Sequence, residues 1–318
     1  MSQLTLDLSA ALLSGDAATV ARLLEAQCAD NLMVSSGVPL LVHACEVAGA
    51  SPACVEAVLK RAKNVNVTDY RGQTPLMMAV NKGAVKIARR LLAAGARIGH
   101  CDGLGRDALH LAALAPQPKP ELLRLLMDAG ASPAASDFAR ETALHFAART
   151  GFVPAMRALL ERQAPVYAVS RKGRTPLHLA AEGGSADACR LLVQSGASVD
   201  PRDEEGWTPL LVAVASWQYA AARVLIFNKA DVNARLNEKA GPFAGFTPLA
   251  FALAEPDGGL RDERAPRQAF DREFCEALVE AGAELNPRLG DGTTLSERVT
   301  GNAEALEFLR QHGMADGA

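Results

Sequence analysis

Three histidines, His110, His145 and His178, recur at intervals of 35 and 33 residues and are the first candidates for chemistry. An imidazole near neutral pH can serve as acid, base or metal ligand. Each one, however, stands three residues after a helix-capping position, at Asp107, Thr142 and Thr175. From there the ring can reach back to the cap, as the fourth member of a capping box does. Their expected role is therefore structural. His100-Cys101-Asp102 is the one local cluster of metal-capable side chains. Neighbours on a turn tip do not converge on one ion, and no second half-site accompanies them. Glu204-Glu205 falls on an expected hairpin tip, where solvent levels carboxylate pKa values; general acid–base work needs burial or a close neighbour. No phosphate-binding loop, GxSxG elbow, GxGxxG after a strand or HExxH is present. The reading is a non-enzyme with no catalytic residues, no metal and no cofactor.

Composition narrows the partners. The 318 residues are 49% hydrophobic with a net charge of −3. Nucleic-acid binding draws much of its affinity from phosphate neutralisation, so nucleic acid is disfavoured. Six cysteines (Cys28, Cys45, Cys54, Cys101, Cys189, Cys275) contain no CxxC pair and make neither a disulfide framework nor a zinc set. The start, MSQLTLDLSAALLSGD, lacks the basic and apolar regions of a secretory signal. No apolar run reaches the roughly 18 residues a membrane span needs. The expectation is a reduced, cytoplasmic, membrane-free protein, monomeric on its own, with delivery into another cell left open.

What positions these residues is a repeat. GQTPLMMAV (72–80), GRDALHLAA (105–113), RETALHFAA (140–148), GRTPLHLAA (173–181), GWTPLLVAV (206–214) and GFTPLAFAL (245–253) are copies of one phrase, with weaker copies at 36–44 and 291–295. Their leucines, from Leu40 to Leu295, lie 36, 33, 35, 33, 33, 39 and 46 residues apart. The physics of the phrase is helical: Thr74, Thr175, Thr208 and Thr247 suit an N-cap and the following Pro suits the first helical position. A second apolar helix follows each phrase, ending in Gly-Ala at Gly95, Gly130, Gly196 and Gly282, where glycine fits a left-handed cap. Lys63, Gln163 and Lys229 are expected at the same position, each at a cost of about 1 kcal/mol.

On these motifs the chain resembles the ankyrin-repeat family over residues 7–313, nearly its whole length. The resemblance implies an all-α ankyrin-repeat solenoid, β-turns plus antiparallel helix pairs in a curved array. It divides into an N-terminal capping helix pair (1–35), about seven repeats (36–290) with insertions at 236–245 and 255–273, and C-terminal capping helices with a short tail (291–318). The charged 255–273 insertion reads as a surface loop, or as a flap over Trp217 and Tyr219.

The resemblance also implies non-catalytic protein recognition, as adaptor, scaffold or inhibitor, through the concave hairpin and inner-helix face. The family's variable positions fall on Tyr70, Arg71 and Lys82; on Leu104 and Arg106; on Phe138 and Arg149; on Arg171, Lys172 and Arg174; and on Glu204, Glu205 and Trp207. Aromatic and Arg side chains dominate interface hot spots. The basic middle of this set suggests a partner protein with an acidic patch. The alternatives left open are an effector or immunity-type protein acting on a specific target, and an enzyme with a site built into the array.

Overall fold

The computed structural model describes residues 3–25, 32–34, 37–47, 51–254 and 271–313. These form two compact units: Met1–Ala147 with Pro154–Pro165, and Ala148–Val153 with Val166–Ala318. Every element of the described residues is helical, and β-pairing is limited to single bridges such as Ser136 with Thr142.

The first unit holds α1 (Gln3–Ser14), α2 (Ala17–Leu23), α3 (Leu40–Glu46), α4 (Pro52–Leu59), α5 (Pro75–Asn81), α6 (Val85–Ala93), α7 (Ala108–Leu114) and α8 (Pro120–Asp128). Helices α9 (Ala143–Thr150) and α10 (Val153–Leu160) are divided between the units. The second unit continues with α11 (Pro176–Glu182), α12 (Ala186–Gln194), α13 (Pro209–Ala215), α14 (Tyr219–Phe227), α15 (Pro248–Leu253), α16 (Arg272–Glu280), α17 (Leu295–Arg298) and α18 (Ala303–Gln311).

Within each unit the helix pairs stack in two layers. In the first unit α3, α5 and α7 pack in sequence, backed by α2, α4, α6 and α8; in the second, α11, α13 and α15 are backed by α12, α14 and α16. The contact surfaces are the phrase's own residues: Leu76, Leu109, Leu177, Leu210 and Leu249 are all buried, as are Ala79, Ala112, Ala180 and Ala213. Each fully buried leucine contributes about 1.5–3 kcal/mol. The alanines let backbones approach closely; a Cβ on Gly183, at the end of α11, would sit 2.4 Å from the Arg149 carbonyl oxygen.

The caps form as the residue types dictate. The hydroxyls of Thr74, Thr208 and Thr247 accept the amides of Met77, Leu211 and Ala250 at 3.2–3.3 Å, with proline next in line. At the other ends, Gln163 (φ 61°) and Lys229 (φ 66°) take the left-handed conformation held elsewhere by glycine. Lys63 does not, which corrects the sequence-based expectation. Helix α4 ends instead with the Ala62 amide donating to the Val58 and Leu59 carbonyls, and no residue there has a positive φ. The register of that turn differs by one residue from the one assumed.

Candidate functional site

Between successive helix pairs the chain forms short fingers, and their construction repeats. The side chain of the first finger residue accepts the amides two and four residues on: Asp69 from Arg71 (2.9 Å) and Gln73 (2.7 Å), Asp102 from Leu104 and Arg106, Asp137 from Ala139 and Glu141. Ser170 and Asp203 do the same in the second unit. Neighbouring fingers are joined by backbone bonds. Gly103 N–H donates to the Arg71 carbonyl (2.9 Å), Phe138 to Leu104 (3.1 Å), Glu204 to Lys172 (3.1 Å) and Asn237 to Glu205 (3.1 Å). The fourth finger residue lies at positive φ, and there Gly72, Gly105, Gly173 and Gly206 give way once, to Arg140 (φ 60°).

This scaffold holds three large side chains in solvent within the first unit. Tyr70, Leu104 and Phe138 are 76%, 57% and 64% exposed. Phe138 also lies flat on the preceding finger; a Cβ on Gly105 would meet its Cδ1 at 2.5 Å. Arg71 stands over the Tyr70 ring at 5.2 Å, and Lys82 is exposed at the end of α5. Arg106 is half-buried and committed, donating to the Asp102 carboxylate through Nε (3.0 Å) and a terminal nitrogen (2.7 Å). Burial works against charge on Asp102, but the Arg106 guanidinium and the Leu104 and Arg106 amides hold its carboxyl below the usual range.

In the second unit Arg149, Arg171, Lys172, Glu204 and Glu205 are exposed. Arg174 is half-buried between Glu182 (3.2 Å) and Asp203 (3.3 Å), so its charge is largely matched at home. Trp207 is a correction: it is only 6% exposed. It joins Phe251 (5.4 Å between centroids) in a cluster with Phe243 and Phe246, and its indole N–H donates to Glu205 (3.0 Å). The reason is Phe251 of α15, and the 236–245 insertion enlarges the cluster around it. That insertion folds as a 3-10 segment, Glu238–Phe243, that supplies Phe243 to this cluster and closes through the Leu236 amide to the Phe246 carbonyl (3.2 Å). Trp207 therefore belongs to the core, and it is withdrawn from the contact set.

Six exposed apolar residues were not anticipated from the sequence: Leu6, Leu13 and Met33 in the first unit, and Tyr167, Val169 and Phe227 in the second. Tyr167 had a legible signal. It stands where Asn66 and Asn233, in other repeats, reach the next repeat's Gly95 and Gly282 carbonyls. Trp217 and Tyr219 are half-buried, Tyr219 stacking on Phe274 at 4.4 Å. The 255–273 insertion lies outside the described residues except for its last three.

The titratable candidates are engaged in structure. His145 and His178 accept the Thr142 and Thr175 amides through Nδ1 at 3.1 and 3.0 Å, and Nε2 of His178 meets the Trp207 carbonyl at 2.9 Å. His110 reaches Asp107 in the same register. His100 Nε2 faces the Gly72 carbonyl (3.2 Å), and among the described residues no three His, Cys, Asp or Glu side chains gather as a metal set. Burial pushes the thiols of Cys45, Cys189 and Cys275 up to about 12. Cys101 is exposed, but partial burial and the Asp107 and Asp102 carboxylates raise its thiol as well, away from the thiolate that nucleophilic chemistry needs. Cys28 lies outside the described residues. No helix among those residues is long and apolar enough to cross a membrane.

Comparison with known proteins accords with this geometry. The family described as "Ankyrin repeats" matches three times, over residues 8–102, 90–169 and 162–235. The chain is 37% identical over 101 residues to human B-cell lymphoma 3 protein, covering 30% of this chain and 22% of that one. It is 32% identical over 157 residues to the Arabidopsis thaliana E3 ubiquitin-protein ligase KEG (48% of this chain, 9% of that one). Mouse inversin is 32% identical over 136 residues (43% and 13%). The chain thus spans less than a quarter of the length of each of these relatives.

Proposed function

The chain belongs to the ankyrin-repeat family, whose repeats are protein–protein interaction modules, and from that premise we propose that it is a non-catalytic binding protein that grips a partner with its finger tips. The observation that carries this reading is the row Tyr70, Leu104, Phe138. Three large apolar side chains stand in water on adjacent fingers whose backbones are bonded to one another. Burial in the core does not account for them, and a rigid support lowers the entropy lost on association.

The partner this favours is a protein with an acidic patch beside an apolar one. Arg71 flanks the apolar row in the first unit; Arg171 and Lys172 form an exposed basic tip in the second, followed by the acidic Glu204-Glu205 tip. Arg106 and Arg174, tied to their own carboxylates, contribute shape more than charge. Lys82 and Arg149 extend the basic character onto the helix ends. The chain acts as a monomer in this scheme.

The test is affinity capture from lysate of the source organism with three baits: wild type, Leu104→Ser/Phe138→Ser, and Arg171→Glu/Lys172→Glu. The expected outcome is one or more proteins retained by wild type and lost by either variant, with circular dichroism of the baits unchanged. An identical set of captured proteins on all three baits would refute the finger-tip placement.

A further inference from the structure

His110 differs from the other two histidines of its register in one neighbour. Its cap is Asp107, where theirs are Thr142 and Thr175. The Asp107 Oδ1 already accepts the amides of Leu109 (2.9 Å) and His110 (3.1 Å), and it lies 2.7 Å from Nδ1 of the His110 ring. On the far side, Nε2 lies 3.1 Å from the Ala135 carbonyl and 3.2 Å from the Glu141 carbonyl, at the two ends of the next finger. Three acceptors thus surround the two ring nitrogens. The one competing donor is the Asp107 amide, a longer 3.3 Å from Nδ1.

We propose that Asp107 holds His110 as an imidazolium, and that loss of its Nε2 proton to solvent as pH rises unclasps the finger 135–141 that carries Phe138. A neutral ring has one proton to place. Beside Asp107 that proton stays on Nδ1, leaving the Nε2 lone pair facing two carbonyl oxygens. In His178 the logic is reversed: the Thr175 amide donates to Nδ1, so the neutral ring carries its proton on Nε2 and keeps its bond to the Trp207 carbonyl. Exchanging Thr for Asp at the cap therefore swaps the tautomer and makes the clasp sensitive to pH.

The surroundings agree. Burial of the ring opposes its charge, but the Asp107 carboxylate, with Asp137 and the Glu141 carbonyl, outweighs burial and raises the His110 pKa above 6.5. Asp137 and Glu141 come from the clasped finger, and Phe146 of α9 presents an edge at 5.9 Å. His145, on the same helix, is turned to Thr142. In the preceding finger Arg106 is matched by Asp102, and Cys101 has a raised pKa. The inference concerns the finger itself and stands whether or not Phe138 meets a partner.

The test is long-range proton–nitrogen NMR of the histidine rings in the full chain, with amide exchange at Phe138, titrated from about pH 5.5 to 9. His110 is expected to carry both protons at the acid end and to end as the Nδ1–H tautomer, while His178 ends as Nε2–H. Phe138 amide protection, corrected for intrinsic exchange, is expected to fall about tenfold across the transition. In Asp107→Thr the ring is expected to end as Nε2–H, with protection independent of pH. A wild-type His110 that is neutral with its proton on Nε2 throughout would overturn the proposal, as would an equal loss of protection in Asp107→Thr. If that variant does not fold, the wild-type tautomer decides.

Discussion

At the scale of single residues, identity alone is a poor guide to exposure. Trp207 and Phe138 both sit on fingers, yet one is buried and the other stands in water. Trp207→Ala is expected to cost about 3–5 kcal/mol, as for a large aromatic removed from a core. Leu104→Ser is expected to stay within about 0.5 kcal/mol of wild type, as an exposed site should. Urea denaturation midpoints of the two variants check both values. Arg140 is a different residue-scale feature, the single non-glycine at its finger position, with φ 60°. Arg140→Gly should stabilise the chain by about 1 kcal/mol, the usual cost of a side chain in the left-handed region. His110 adds a pH dependence whose sign follows from its raised pKa. Its contribution to stability is complete below 6.5 and is lost as pH rises through the higher folded value. Melting temperatures should therefore decline as pH rises above 6.5, and Asp107→Thr should flatten that decline.

At the scale of elements, one clamp recurs between repeats. The Asn66 side chain accepts the Arg97 amide (2.7 Å) and donates to the Gly95 carbonyl; Asn233 accepts the Glu284 amide (2.7 Å) and donates to Gly282. Asp200 keeps the accepting half, from the Asp231 amide (3.1 Å). The corresponding position in the next repeat after Asn66 is Gly99, with open space around its Cβ direction and no positive φ. Gly99→Asn should reach the Ser132 amide and the Gly130 carbonyl. The expected gain is about 1 kcal/mol from added hydrogen bonding, read as a raised denaturation midpoint. A Gly99→Ala control separates the clamp from the loss of glycine flexibility. The same substitution logic fails at Ala134, because the position whose amide would donate to the new side chain is Pro165, which has no amide hydrogen.

At the scale of the whole chain, stability comes from neighbour-to-neighbour stacking, so damage should stay local. Leu210→Ala, in the buried face of α13, is expected to cost about 2–5 kcal/mol. Hydrogen exchange should show the protection of α11, α13 and α15 reduced while α1–α4 are unaffected. The ion pairs that join outer helices, such as Arg90–Glu56 (2.9 Å) and Arg124–Glu161 (2.9 Å), are exposed. Each contributes roughly 0–1 kcal/mol and is screened by salt, so they decorate the stack without holding it.

The helix pairs, their caps and their period were legible in the sequence because they rest on local, repeated choices: Thr-Pro at helix starts, Gly-Ala at helix ends, and alanine where backbones touch. Those preferences act within a few residues and are written many times over. Exposure at the finger tips was decided only by tertiary structure. Trp207 is withdrawn from water against Phe251 of the next phrase helix, in a cluster extended by Phe246 and by Phe243 of the inserted segment. Whether Arg106 or Arg174 is available depends on a carboxylate already in reach. The charge state of His110 likewise depends on carbonyls that belong to the following finger. A repeat register specifies where a side chain begins; the neighbouring repeats settle what it touches, because burial and electrostatics are set by distance through space.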